Sequence, residues 1–88
     1  MTLNITDLKK KIIYRSTYRG TKEMDSLLSS FTKKYVNTLN KDDLVNLSKL
    51  LDIDDENLYK INQGQITSIK FEDNHVIKLF RSFVYKKI

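Results

Sequence analysis

The chain has 88 residues, which suffices for one domain but leaves little room for an enclosed cofactor site. It contains no cysteine and a single histidine, so a disulfide framework, a thiolate metal site and a zinc cluster are excluded. The net charge of +5 leaves a nucleic-acid partner open.

A first helix is predicted to start after Thr6, whose hydroxyl can cap it, and to run to about Arg19. One helical stripe carries, at spacings of four, three and four, Leu8, Ile12, Arg15 and Arg19. This stripe changes from apolar to cationic as the helix nears its end.

Gly20 offers the left-handed conformation that closes a helix without a Cβ penalty. Thr21 can cap a second helix over about residues 22–36, with Glu23 in its first turn, where a carboxylate suits the positive end of the helix dipole. We expect a tight corner between two helices, from which Arg19 and Glu23 project.

Two further helices are predicted from their cap residues. Asn40, followed three residues later by Asp43, resembles a capping box with the shorter acid, and the third helix should stop near Asp52. Asp54 can cap a short fourth helix, for which Gly64 supplies the stop signal.

The remaining sequence is less regular before it becomes helical again. Residues 65–71 fit neither a period of two nor a period of 3.6, so a short extended segment is an alternative there. A clear apolar stripe predicts a last helix over about residues 72–85. The pattern indicates a compact all-α five-helix bundle that forms a single domain of residues 1–88, with residues 1–5 and 86–88 expected to fray.

The charge is divided into blocks. Residues 1–41 carry nine Lys/Arg against three Asp/Glu, residues 42–57 carry one against six, and residues 58–88 carry six against two. Lys9, Lys10 and Lys11 could contact phosphates without sequence specificity. Such a run is more often a solvated helix face, and no nucleic-acid-binding signature is present, so nonspecific nucleic-acid binding is the less favoured alternative.

Neither a membrane segment nor an active site is predicted. No stretch approaches the roughly 18 to 20 apolar residues that span a bilayer, and the N-terminus lacks the order of a secretory signal. We therefore expect a cytoplasmic protein without membrane insertion. The lone His75 is expected at the surface or its boundary, and we expect no enzymatic activity.

The run YRSTYRGTKEMDSLLSSF resembles the succinate dehydrogenase assembly factor family. The family's RGxxE pattern and the positions after it are matched by Arg19, Gly20, Glu23, Asp25, Leu27, Leu28 and Phe31. A second match, LLDIDDENLY, resembles the family's acidic turn before its fourth helix. An RGxxE pattern taken alone is more often a solvated ion pair across a turn.

The resemblance implies a small five-helix protein that binds the flavoprotein subunit of succinate dehydrogenase and promotes covalent attachment of FAD to it. This client, or alternatively fumarate reductase, would hold the FAD and supply the acceptor histidine, so the chain itself would bind no cofactor firmly. The implied client-binding residues are Arg19, Gly20, Glu23, Asp25 and Arg15. A possible secondary interface consists of Asp54, Asp55 and Tyr59, although helix capping already explains the aspartates.

Within that resemblance, Gly20 would permit close backbone approach, Arg19 would pair with a client carboxylate or the flavin phosphates, and Glu23 would accept hydrogen bonds from the client. The chain departs from the family pattern at Lys60, where a tryptophan is common, and in having no proline before the last helix. An antitoxin-like regulator of a toxin–antitoxin pair is the alternative from another functional class. We expect a monomer in the free state.

Overall fold

The computed structural model describes residues 4–17, 19–67, 69–71 and 73–84. Within these residues the chain forms helices joined by short connections and no strand. The helices are α1 (Ile5–Thr17), α2 (Lys22–Tyr35), α3 (Lys41–Leu50), α4 (Asp55–Asn62) and α5 (His75–Ser82). The all-α fold predicted from the sequence is confirmed.

The first helix starts and ends earlier than predicted. Its cap is Asn4, whose side-chain oxygen accepts a hydrogen bond from the Thr6 N–H at 2.9 Å, so Thr6 lies inside the helix and its predicted capping role is wrong. The helix ends at Thr17, and Arg19 therefore belongs to the connection to α2. The predicted fraying of residues 1–5 stays a prediction, because residues 1–3 lie outside the described part of the chain.

The three other predicted caps are confirmed. Thr21, Asn40 and Asp54 each accept a hydrogen bond from the backbone N–H three residues along, at 3.2, 2.9 and 3.3 Å. The Asp43 carboxylate does not complete a capping box; it lies 2.8 Å from Nδ1 of the exposed His75 and so links α3 to α5.

The end of α4 is fixed by Gly64, which adopts a φ of 71°. The Gly64 N–H donates to the Ile61 carbonyl at 3.1 Å, and the Gln65 N–H donates to the Lys60 carbonyl at 2.8 Å. This pair of bonds is a Schellman motif, and the positive φ is the conformation that glycine adopts without strain. The stop signal predicted at Gly64 is thus confirmed.

The last helix is shorter than the predicted 72–85, because Asn74 caps it and Phe83 is already extended. No regular structure is assigned to residues 65–67 and 69–71. The predicted ends at 72 and 85, and the predicted fraying at 86–88, lie outside the described residues.

All five helices contribute to one hydrophobic cluster. Phe31 of α2 lies at its centre, where its ring contacts Phe80 at a centroid distance of 5.0 Å and Phe83 at 5.3 Å. The buried apolar residues are Ile12, Met24, Leu27, Leu28, Phe31, Val36, Leu44, Leu47, Leu50, Leu51, Leu58, Ile61, Val76, Ile77 and Phe80. This packing holds the α1–α2 connection beside the turn between α3 and α4.

Candidate functional site

Arg19 lies in the α1–α2 connection, and its guanidinium group points into the protein. Nε donates to Oδ1 of Asp55 at 2.9 Å, while Nη1 and Nη2 donate to the carbonyls of Leu51 and Ile53, each at 2.8 Å. The side chain is only 13% exposed. The outward projection predicted for Arg19 is therefore wrong, because its guanidinium group binds the turn between α3 and α4.

Two carboxylates hold the backbone of the same connection. Oδ2 of Asp55 accepts the Gly20 N–H at 3.1 Å, and the Asp25 carboxylate accepts the Arg19 N–H. Asp55 is the first residue of α4 and Asp25 lies in the first turn of α2, so both also suit the positive helix ends. We call Arg19, Gly20, Asp25 and Asp55 the corner clamp.

Gly20 is needed for space rather than for a left-handed backbone. Gly64 is the glycine with a positive φ in the described part of the chain, so the left-handed conformation predicted for Gly20 is wrong. A Cβ atom built on Gly20 would lie 3.2 Å from Oδ2 of Asp55, which is closer than an ordinary van der Waals contact. Glycine thus allows the Asp55 carboxylate to approach the backbone N–H.

Gly20→Ala is expected to lower the free energy of unfolding by about 1 kcal/mol, because the new methyl group pushes the Asp55 carboxylate away from its two partners. This cost should disappear in an Asp55→Ala background, where the methyl group meets open space. Urea unfolding of the two single variants and the double variant measures the coupling. Additive effects would contradict the proposed contact.

Glu23 differs from Arg19 in its exposure to solvent. It lies in the first turn of α2, is exposed, and forms no ion pair with another residue that the structure describes. Its neighbour across the surface is Tyr59 of α4, a residue that is 51% exposed. The RGxxE pattern is therefore divided into an internal arginine and an outward carboxylate.

Arg15 is also bound within the chain. Its Nη1 donates to the Ser48 carbonyl at 3.2 Å and to the Ser48 hydroxyl at 2.9 Å, and Nη2 forms an ion pair with Asp52. These contacts fasten α1 to the end of α3. The side chain stays one-third exposed, so Arg15 borders the corner without projecting from it.

The three residues of the possible secondary interface have different surroundings. Asp54 caps α4, as its alternative explanation predicted, and accepts the Asn57 side-chain N–H at 2.8 Å. Asp55 is part of the corner clamp and caps nothing. Tyr59 alone among them presents a large exposed surface beside Glu23.

The hydrogen bond from the Asn57 side chain lowers the pKa of Asp54 below its ordinary value of 3.8, since it favours the ionised carboxylate. A lowered folded pKa stabilises the fold above the unfolded pKa, and the contribution is lost as the pH falls through the folded value.

Asp54→Asn is therefore expected to flatten the decline in the free energy of unfolding as the pH falls below about 4, since asparagine can cap the helix but does not titrate. Urea unfolding at a series of pH values measures the slope. An identical slope in the two proteins would show that Asp54 makes no such contribution.

A cleft of about 600 Å³ opens beside Glu23 between α2, α4 and the residues after α5, and no sequence pattern predicts it. Asn62 forms part of its wall and donates to the carbonyls of Phe80 and Phe83 at 2.8 and 2.9 Å. The sequence contains one signal for the buried role of Asn62: it lies four residues after Leu58, on the apolar stripe of α4. A polar side chain at such a position needs a buried hydrogen-bond partner.

Neither a metal-ion site nor a membrane-spanning helix is present among the described residues. They contain no group of three or more His, Asp or Glu that could hold a metal ion. None of the helices that the structure describes is both long and apolar enough to cross a bilayer.

Comparison with known proteins gave one family match. The family described as "Flavinator of succinate dehydrogenase" matches residues 10–84. No solved structure matches the chain significantly.

Three curated fungal relatives carry the name "Succinate dehydrogenase assembly factor 2, mitochondrial". The protein of Lodderomyces elongisporus is 35% identical over 80 residues, which are 85% of this chain and 49% of the relative. That of Scheffersomyces stipitis is 32% identical over 77 residues, covering 83% and 52%. That of Debaryomyces hansenii is 31% identical over 80 residues, covering 85% and 56%. The chain thus spans about half the length of these relatives.

Proposed function

Because this chain belongs to the family of flavinators of succinate dehydrogenase, we propose that it is an assembly factor that binds the flavoprotein subunit of that enzyme and promotes covalent attachment of FAD to it. The observation that carries the proposal is the family match, which extends over residues 10–84 and includes the whole α1–α2 corner. The protein acts as a binding partner and not as an enzyme, and the FAD is carried by the client.

The corner is the surface that docks against the client. The corner clamp fixes the backbone of residues 19 and 20 through bonds to α2, α4 and the α3–α4 turn. A surface that is rigid before binding loses less conformational entropy when the partner arrives. Arg19, Asp25 and Asp55 are in this view positioning residues, and Arg15 supports them by holding α1 against α3.

Glu23 is the residue of the motif that touches the client. Its carboxylate is exposed on the first turn of a helix whose start the clamp fixes, so it can accept hydrogen bonds from client N–H or O–H groups. Gly20, which is exposed and has no side chain, lets the client backbone come close beside it. Tyr59 adds an amphipathic contact at the same surface.

The chemistry of flavin attachment belongs to the cofactor and to the acceptor histidine of the client. The assembly factor contributes by holding the client so that these two groups stay in attack geometry, and correct placement of reacting groups can lower a barrier by several kcal/mol. We assign Glu23 an orienting contact, in which its exposed carboxylate accepts hydrogen bonds, and assign the proton transfers to groups of the client.

The proposal also concerns which flavoprotein is the client and in which compartment the two proteins meet. Fumarate reductase remains an alternative client, and a monomer that meets its client in the cytoplasm is our prediction. The matched fungal relatives carry "mitochondrial" in their names. Fractionation of the native host followed by immunoblotting tests the compartment.

The test compares the native host with and without this protein. Covalently bound flavin in the flavoprotein subunit is read as fluorescence in a denaturing gel, which removes noncovalent FAD. Deletion is expected to abolish most of the signal, and reintroducing the chain should restore it. Unchanged fluorescence after deletion would overturn the assembly role. Pull-down from the same host distinguishes succinate dehydrogenase from fumarate reductase as the client.

A further inference from the structure

The cleft beside Glu23 combines an apolar floor with charged edges. Leu27 and Phe83 contribute to the floor, Tyr59 forms one wall, and Lys22 and Arg81 contribute positive charge to the rim. Its volume of about 600 Å³ falls within the range of pockets that take a ligand or a large side chain. The cleft is thus large enough to accept an apolar group from a partner.

Glu23 and Tyr59 separate this cleft from a second, shallower depression. Both residues line both concavities, and the second one is edged by Asp55 and Glu56. Most of these charges are paired within the chain: Asp55 with Arg19, Glu56 with Lys60, which also lines the second depression, and Arg81 with Asp73. Lys22 forms no ion pair with another described residue, so it is the cation at the cleft that is available to an acidic group of a partner.

We propose that the cleft is a second docking site for the client flavoprotein, and that it takes a client segment in which an apolar side chain is followed by an acidic one. The apolar side chain fills the floor near Leu27 and Phe83, and the acidic group pairs with Lys22 at the rim. This inference rests on the proposed function. It extends the contact beyond the corner, from Glu23 to the end of α5, and the shared Glu23 makes the two surfaces continuous.

A filled cleft tests the proposal without touching Glu23. Ser26 lines the cleft on α2, and Ser30, one turn further along, lies outside it and is similarly half-buried. Ser26→Trp is expected to weaken binding to purified flavoprotein subunit by at least about tenfold, whereas Ser30→Trp should change it less than about twofold. Equal binding by the two variants, with matching circular dichroism, would overturn the cleft as a docking site.

Charge reversal tests the chemistry assigned to the partner segment. Lys22 and Lys33 are exposed lysines near opposite ends of α2, and only Lys22 lies at the cleft. Lys22→Glu is expected to weaken client binding several-fold at low salt, with less effect at high salt, and Lys33→Glu should not. A photo-crosslinking residue placed at Ser26 should then join a client peptide that contains an acidic residue beside an apolar one. A crosslinked peptide without an acid would overturn the assignment.

Other occupants give different results. If a second copy of the chain fills the cleft, sedimentation shows a dimer that Ser26→Trp dissociates, and that result would overturn the proposal. If Ser26→Trp binds normally while Glu23→Ala still abolishes flavinylation, the cleft inference fails and the assembly function stands. If deletion of the protein leaves flavinylation unchanged, the proposed function itself has failed.

Discussion

Replacement of Arg19 by alanine is expected to lower the free energy of unfolding by about 2–4 kcal/mol. The guanidinium group neutralises the Asp55 carboxylate and satisfies the Leu51 and Ile53 carbonyls, and its removal leaves all three without these bonds in a largely covered position. Removal of one member of a largely buried ion pair lowers the free energy of unfolding more than removal of one member of a surface pair, which contributes about 0–1 kcal/mol. Urea unfolding followed by circular dichroism measures the change.

Two control variants distinguish the loss of the hydrogen bonds in the corner clamp from the loss of a positive charge alone. Arg19→Lys keeps the charge but cannot supply three directed N–H donors, so we expect it to recover less than half of the lost stability. Arg81 is 42% exposed and lies 3.6 Å from Asp73, so Arg81→Ala should cost less than about 1 kcal/mol. If Arg19→Ala were no more damaging than Arg81→Ala, the clamp would have no structural role.

Replacement of Glu23 by alanine is expected to abolish client flavinylation while changing the free energy of unfolding by less than about 0.5 kcal/mol. The reason is that Glu23 is exposed and forms no ion pair within the described residues, so its carboxylate is available only to a partner. Purified flavoprotein subunit, FAD and the variant are combined, and covalent flavin is measured over time. Glu23→Gln tests whether charge or only hydrogen-bond acceptance is required.

The two halves of the motif should respond differently to a stabilising osmolyte. Sucrose favours the compact state and should partly restore flavinylation by Arg19→Ala, whose defect is a weakened corner. It should not restore Glu23→Ala, whose corner is intact but lacks its contact group. Restoration of both variants would place Glu23 with the structural residues.

The local features of the fold could be predicted because they depend on neighbouring residues. Thr21, Asn40 and Asp54 cap helices through bonds to N–H groups three residues away, and Gly64 ends α4 through its own backbone conformation. Such signals are present in any short stretch of sequence.

The orientation of Arg19 could not be predicted in the same way. Its partners Leu51, Ile53 and Asp55 are more than thirty positions away, and two of them act through backbone carbonyls that carry no sequence signature. A basic residue on a stripe with Ile12 gave the only hint, since the apolar side of that stripe faces the core.

The role of Gly20 and the presence of the cleft also depend on residues that are distant in the sequence. The sequence predicts a special role for Gly20 but indicates a left-handed turn as its cause. The actual cause is the nearby Asp55 carboxylate, whose position depends on where α4 packs. The cleft arises where α2 and α4 meet the residues after α5, so no single helix pattern reveals it.

The central claim, that the α1–α2 corner docks against the client, is tested most directly by the protection of single cysteines, since the chain contains none of its own. Lys22→Cys reports the start of α2 beside the corner, and Lys33→Cys reports its far end. The account predicts that saturating flavoprotein subunit slows thiol alkylation at position 22 by at least about tenfold and leaves position 33 unchanged. Protection at position 33 but not at position 22 would contradict it.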